Sequence, residues 1–426
     1  MTVILLATVG GSHQPLVTAI RDSRPDYVSF FCTDRDPATG RTGSRTQIEG
    51  NGLCIKRQQD EAAPTLPNIP VQCGLPQNGY DVRIVPADDL DAAFGVMRGA
   101  ISELRARFPG ATLQADYTGG TKTMTAALVV AALESDAVEL RFVTGSRGDL
   151  VRVADGTQTA AAASVEGVRH ARSMQPYLAA WERFAYSEAE AGLRRLPAPR
   201  TNLLRTAYVH ARDFSAALAA WDRFDHAAAA DLLKLYAPAL GSTLAPYLKP
   251  VVVLAGTDSP ARTGLLIWDL WKNALRRADN GRYDDAVARA YRMIEWSAQW
   301  LLDSRAGMKT SDLPAAAAAE VGVSPGRDGR YQAGLWAAWL LVERHVGGNA
   351  AQFIARQRAA MFDHLRHRNE SILAHGFAPV RAGEWNTLHA WLECEFEPML
   401  RAELGTAGVR EPFPQLPQRY PGSATE

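Results

Sequence analysis

Between Val3 and Val143, short apolar runs alternate with helix-length amphipathic stretches, and few architectures accept that order. Val3-Ile4-Leu5-Leu6-Ala7 has no polar interruption and runs into Thr8-Val9-Gly10-Gly11-Ser12. That is the pattern of a strand buried on both faces, followed by a glycine loop. Pro15 to Arg21 reads as a short helix, and Tyr27 to Cys32 as a second strand ending at Thr33-Asp34-Arg35-Asp36. Pro37 to Asn51 is polar and glycine-containing and reads as a loop. Val82 to Pro86 is a third strand. Leu90, Phe94, Met97, Ile101, Leu104 and Phe108 then fall at helical spacing and stop at Pro109-Gly110. Thr112 to Tyr117 is a fourth strand and Thr121 to Glu134 a second long helix. Val138–Val143 and Leu150–Val153 flank a turn-rich segment and are expected to pair as a hairpin. The fold class is therefore an α/β sheet of Rossmann type over residues 1–160.

After about Val165 the strand signals end. Trp181-Glu182-Arg183-Phe184-Ala185-Tyr186 and Trp221-Asp222-Arg223-Phe224-Asp225-His226 recur forty residues apart, each entering an alanine-rich stretch. Gly281-Arg282-Tyr283-Asp284-Asp285-Ala286 opens a third segment of related design. Helical hairpins anchored by core aromatics account for the pattern. The expected organisation is a helical insert over 161–280, an all-α domain over 281–412, and a proline-rich tail over 413–426. Within the all-α domain, Tyr283–Leu302, Trp336–Val346, Phe353–Ala374 and Leu388–Leu400 read as helices, and Pro314–Tyr331 as loop-containing.

With 46 basic and 46 acidic residues the formal net charge is +0, so any polyanion site is local rather than global. The four cysteines, Cys32, Cys54, Cys73 and Cys394, show neither CxxC spacing nor a disulfide framework. The first residues lack the basic start of a signal peptide, and no run is long enough to span a membrane. A cytoplasmic protein without structural zinc is expected.

Two stretches carry chemistry. Asp116-Tyr117-Thr118-Gly119-Gly120-Thr121-Lys122-Thr123-Met124 sits where a strand gives way to a helix. Glycines there let backbone amides approach an anion, and the helix start favours negative charge. The stretch is neither a Walker A loop nor G-x-G-x-x-G, which disfavours a nicotinamide-dependent enzyme. In this fold class ligands sit beyond the carboxyl ends of the strands. Gly10, Gly11 and Ser12, Thr33 and Asp34, and Thr118, Gly119, Gly120, Thr121 and Lys122 all occupy such ends, and can converge on one anionic ligand. The plainer alternative is that the glycines only make tight turns.

The second stretch is Arg368-Asn369-Glu370-Ser371-Ile372-Leu373-Ala374-His375-Gly376. On a helix, Arg368 and His375 lie almost two turns apart and share a face, with Gly376 as a C-cap. A guanidinium fits phosphate oxygens, and an imidazole moves protons near neutral pH. A solvated arginine and a last-turn histidine are the alternative. Nearby, Asp363, His364 and His367 lack a third ligand at metal-binding spacing and read as an exposed polar face, so no metal site is assigned.

Asp-x-Thr-Gly-Gly-Thr-Lys-x-Met after a glycine loop resembles the CARF sensors of type III CRISPR–Cas immunity. Arg368-x(6)-His375 resembles the R-x(4–6)-H motif of HEPN ribonucleases. In this order they resemble the CRISPR-associated CARF–HEPN ancillary ribonucleases. The resemblance implies a Rossmann-like CARF domain that binds cyclic oligoadenylate as an allosteric activator, and an all-α HEPN domain that cuts single-stranded RNA. It further implies a homodimer whose paired Arg–His motifs work without a metal cofactor. The ribose 2′-OH would attack the adjacent phosphate and leave a 2′,3′-cyclic phosphate. Arg368 would stabilise the phosphoryl charge, His375 would act on the 2′-OH or the leaving oxygen, and Asn369 would position the arginine or the RNA. A CARF domain that degrades its own ligand, and a non-catalytic RNA-binding sensor, stand as alternatives.

Overall fold

The computed structural model describes residues 2–40, 42–50, 66–135, 138–145, 157–369 and 379–422, with only the backbone of 365–369. The chain divides into two compact units, Met1–Arg169 and His170–Glu426.

The first unit contains β1 (Val3–Thr8), α1 (Gln14–Ser23), β2 (Tyr27–Cys32), the short α2 (Thr46–Glu49) and α3 (Ile69–Cys73), and β3 (Tyr80–Ile84). It continues with α4 (Leu90–Arg107), β4 (Thr112–Asp116), α5 (Lys122–Glu134), β5 (Val138–Thr144) and β6 (Thr159–Ala162). The strands form one sheet in the order β3-β2-β1-β4-β5-β6. The first five run parallel and β6 is an antiparallel edge. The unbroken apolar run of β1 has a direct structural reason: it is central and covered on both sides. Ile4 and Leu6 join the core under α4 and α5, while Leu5 and Ala7 join the core under α1 and α3. This is the period-two alternation of a pleated strand.

Two expectations change here. The antiparallel partner of β5 is Thr159–Ala162, pairing through Arg141↔Ala162 to Thr144↔Thr159, and the expected Leu150–Val153 strand lies outside the described residues. Residues 42–50 are folded rather than open loop. The Ser44 and Thr33 side chains each accept the other's backbone N–H at 3.0 Å, and Arg45 pairs with Asp34 at 3.3 Å. A Cβ on Gly43 would collide with the Thr33 and Asp34 carbonyls, so only glycine permits this approach.

In the second unit α6 (Glu166–Ala179), which spans the division, leads into α7 (Tyr186–Arg195), α8 (Asn202–Asp222), α9 (His226–Leu235), α10 (Gly241–Leu254) and α11 (Pro260–Asp279). Then come α12 (Tyr283–Leu301), α13 (Ala315–Glu320), α14 (Leu335–His345), α15 (Gly348–Asn369), α16 (Ala382–Trp391) and α17 (Glu397–Thr406). A π-helical turn, Leu302–Ala306, extends α12, and another, Leu392–Phe396, joins α16 to α17. The last helical stretch thus begins at Ala382, ahead of the expected start at Leu388. Among the described residues no helix is long and apolar enough to cross a membrane.

The recurring Trp-x-x-Phe motif is one device used repeatedly. Phe184 and Phe224 both adopt left-handed φ, 58° and 64°, and Gly281 takes the same place with φ 70°. Each stop is closed by the same backbone bond, from Ala185 to Ala180, Asp225 to Ala220 and Arg282 to Arg277, all at 2.9 Å. That is the glycine-type helix stop, made twice with phenylalanine at a backbone cost of roughly 1–2 kcal/mol. Trp181 and Trp221, both fully buried, anchor the two phenylalanine copies in the core.

Buried residues from the expected 161–280, 281–412 and 413–426 segments pack together. One hydrophobic core runs continuously from Met174 to Tyr420. Phe413, Leu416 and Tyr420 are buried in it, so residues 413–420 form a strap rather than a loose tail. The Trp268 indole donates to the Phe413 carbonyl at 2.7 Å, Tyr247 to that of Gln415 at 2.5 Å, and Tyr186 to that of Pro417 at 2.8 Å. Beneath the strap, fully buried Arg276 reaches Asp222 at 2.8 Å, Asp269 at 3.5 Å and the Gln415 side chain at 2.7 Å. His226 contacts the other Asp269 oxygen at 2.8 Å. Apolar packing and a charge network that satisfies its members hold the strap in place.

Candidate functional site

The order in which strands are added reverses between β1 and β4: β2 and β3 extend to one side, β5 and β6 to the other. Such a switch point opens a crevice at the carboxyl ends of the two strands. The β1–α1 loop, with Gly10, Gly11 and Ser12, and the β4–α5 loop, with Thr118, Gly119 and Gly120, both stand at this point. They touch backbone to backbone. A Cβ on Gly10 would lie 2.5 Å from the Gly120 amide nitrogen, and one on Gly119 would strike the Thr8 carbonyl. Gly120 has φ +86°, where side chains are strained. The three glycines are therefore required by a specific loop–loop contact, beyond the needs of tight turns. The Thr8 hydroxyl locks it by donating to the Gly119 carbonyl at 2.6 Å, and the Thr125 hydroxyl donates to the same oxygen at 3.1 Å.

Within the β4–α5 loop the polar side chains divide into structural and available groups. The Thr121 hydroxyl donates to the Ala87 carbonyl at 2.5 Å and caps α5 by accepting from Met124 N at 3.2 Å. The hydroxyl thus bonds to the fold on both sides. Thr118 Oγ1 accepts from Val143 N at 2.7 Å. Lys122 is exposed at the first position of α5 and forms no ion pair with a described residue. Cation and helix start coincide there, a favourable place for an anion. Asp116 is buried, with one oxygen accepting from Thr118 N at 3.0 Å. Burial pushes its carboxyl above the usual range, opposed by the Thr118 amide and hydroxyl and by the Arg141 charge. In the β1–α1 loop, Gly11 and Ser12 are both exposed.

Thr33 and Asp34 are less available than expected. Both are held by Ser44 and Arg45, so they fasten the 42–50 segment beside the crevice. Gln47, which no sequence pattern singled out, donates from its amide to the Gly10 carbonyl at 2.6 Å and fixes the β1–α1 loop. Its only sequence signal is a polar residue in a polar stretch.

In the second unit, Arg368 and Asn369 belong to the last turn of α15, while His375, with all of 370–378, lies outside the described residues. Further along, Val380 N donates to Asp284 at 2.9 Å at the start of α12. One turn before Arg368, the His364 carbonyl accepts from the Tyr291 hydroxyl of α12. His364 and Val380 are thus both bonded to residues in the first half of α12. Among the described residues no three His, Cys, Asp or Glu side chains group as a metal site.

Residues 258–395 match the family model described as the Csm6 HEPN domain, a range that includes Arg368 to His375. Among solved structures the chain resembles Enterococcus italicus Csm6 bound to cyclic hexa-2'-fluoro-hexa-dAMP, at 12% identity and a TM-score of 0.55, covering 95% of both chains. It also aligns with Can2 from Sulfobacillus thermosulfidooxidans in complex with cyclic tetra-adenylate, at 13% identity over 55% of this chain and 68% of that one. The TM-score of 0.22 for that alignment is too low to support a shared fold. No curated protein matches. Residues 258–395 thus match the Csm6 HEPN domain, and the chain shares its overall fold with E. italicus Csm6.

Proposed function

We propose that this chain is a cyclic-oligoadenylate-gated ribonuclease. The first unit binds the cyclic ligand at the β1/β4 switch point. Gly10, Gly11, Ser12, Thr118, Gly119, Gly120 and Lys122 contribute backbone amides, the exposed Ser12 hydroxyl and a cation. The observation that carries this half is the glycine-only apposition of the two loops, which brings their backbones together next to the start of α5. Because E. italicus Csm6 is bound to cyclic hexa-2'-fluoro-hexa-dAMP, a ring of six nucleotides, cyclic hexaadenylate is the first ligand to test.

In the second unit, Arg368 and His375 of two paired chains form one cationic site on single-stranded RNA. The arginines stabilise charge on the phosphoryl oxygens, the histidines move the 2′-OH and leaving-group protons, and Asn369 positions the arginine or the strand. These roles need no metal, and the product is a 2′,3′-cyclic phosphate. The protein acts in the cytoplasm, where foreign transcripts appear. A pocket that also cleaves its ligand is less well supported, because the Thr121 hydroxyl is committed to Ala87 and Met124.

Lys122→Ala is expected to weaken cyclic hexaadenylate about 10- to 100-fold, the worth of a charge-assisted bond to phosphate. Calorimetric titration of mutant and parent decides this, and equal affinity removes Lys122 from the site. The ligand-free protein is expected to sediment as two chains at micromolar concentration. A monomer that cuts RNA at full rate contradicts the shared site.

A further inference from the structure

An arginine that steadies a phosphoryl oxygen needs a fixed backbone, because a misplacement of about 1 Å costs on the order of 100-fold in rate. Side chains from neighbouring helices hold α15, the helix of Arg368. At its start, Glu403 of α17, 1% exposed, accepts from Ala350 N at 3.1 Å. Further along, the Trp391 indole of α16 donates to the Gln357 side chain at 3.1 Å, and its ring lies 4.8 Å from that of His364. His364, expected on an exposed polar face, is therefore half-buried against Trp391. Closest to Arg368, the Tyr291 hydroxyl of α12 donates to the His364 carbonyl.

That last bond reaches Arg368 through one atom. In an α-helix each carbonyl accepts from the N–H four residues on, so the His364 oxygen is also the acceptor for the Arg368 amide. A carbonyl oxygen has two lone pairs and can serve both donors. The helix's own ladder fixes the shape of this turn, but not its place in the domain. A bond from a buried side chain of another helix fixes the place. Tyr291 is suited to that: it is 5% exposed, and three residues on, the Ile294 carbonyl of the same helix accepts from the fully buried Trp339 indole at 3.1 Å.

We infer that Tyr291 is a positioning residue for Arg368, its hydroxyl tying the turn that carries the arginine to the core of the second unit. It acts through the backbone of α15, not on the RNA. The inference rests on the ribonuclease reading and adds a residue outside the Arg–His motif on which the rate depends.

The test measures kcat and KM for cleavage of a labelled single-stranded RNA by the full-length protein, with cyclic hexaadenylate or cyclic tetra-adenylate, whichever activates. Tyr291→Phe removes one oxygen and keeps the ring in the core. It is expected to lower kcat about tenfold and leave KM within about twofold, the pattern of an interaction made in the transition state alone. Tyr247→Phe is the matched control. It also deletes a buried tyrosine hydroxyl bonded to a carbonyl, that of Gln415, and should keep the parental kcat. In an Arg368→Ala background, the residual single-turnover rate should not fall further when Tyr291→Phe is added, because a residue that acts through the arginine has nothing left to act on. Parental kcat in Tyr291→Phe, with Arg368→Ala inactive, overturns the inference and leaves the ribonuclease reading standing. So does an equal loss in Tyr247→Phe, or a further tenfold loss on top of Arg368→Ala. Full cleavage by Arg368→Ala, or none by the wild type with either ring, overturns both.

Discussion

Replacing Arg368 or His375 with alanine is expected to remove nearly all RNA cleavage. Charge stabilisation of the phosphoryl oxygens and general acid–base transfer are each worth about 100-fold or more. The double mutant should be scarcely slower than either single one, because groups that act in one transition state do not contribute additively. Affinity for cyclic oligoadenylate should stay at the parent value, since the ligand loops belong to the other unit. A solvated arginine and a helix-capping histidine would behave differently, losing at most a little stability. Initial rates on a labelled single strand decide between the two. Full ligand-dependent cleavage in both single mutants, with the proteins folded, would falsify the assignment.

Arg276→Ala is expected to produce the largest loss of stability. The guanidinium is fully buried and serves Asp222, Asp269 and Gln415 together. Removing it leaves the buried Asp269 facing His226 and releases the strap at Gln415. Breaking one side of a buried charge network costs about 3–5 kcal/mol. For a unit of this size that lowers the unfolding midpoint by on the order of 10 °C. All ten tryptophans lie beyond residue 180, so tryptophan fluorescence during heating reports on the helical unit alone. A midpoint within a degree or two of the parent would mean the network is not what holds the strap.

The parts of this molecule that were readable in the sequence share a cause. β1 and β2 are covered on both faces, and burial on that scale leaves strands with few polar interruptions. The helix stops at Phe184 and Phe224 were visible as a repeat because the same packing problem was solved twice with the same residues. What escaped was set by tertiary contact. Thr159–Ala162 is an edge strand of small residues without a β-branched run, so nothing local distinguishes it from a loop. Residues 42–50 carry no apolar period, and their order comes from Ser44, Arg45 and Gln47 reaching the loops that follow β1 and β2. The strap looked like a tail because prolines forbid a helix there. Its burial follows from Phe413, Leu416 and Tyr420 finding a groove made by distant helices. At the candidate site, Gly10, Gly119 and Gly120 were legible as a loop pair. The commitment of Thr121 to Ala87 was not, because that bond joins residues 34 apart.

The central claim is that ligand binding in the first unit switches on RNA cleavage in the second. The direct measurement is cleavage of an end-labelled single-stranded RNA in EDTA, with and without cyclic hexaadenylate and cyclic tetra-adenylate. The account predicts little cutting without ligand, rapid cutting with one of the two rings, and products ending in 2′,3′-cyclic phosphate. RNA left intact under every ligand, or cut at the same rate with and without them, would contradict it.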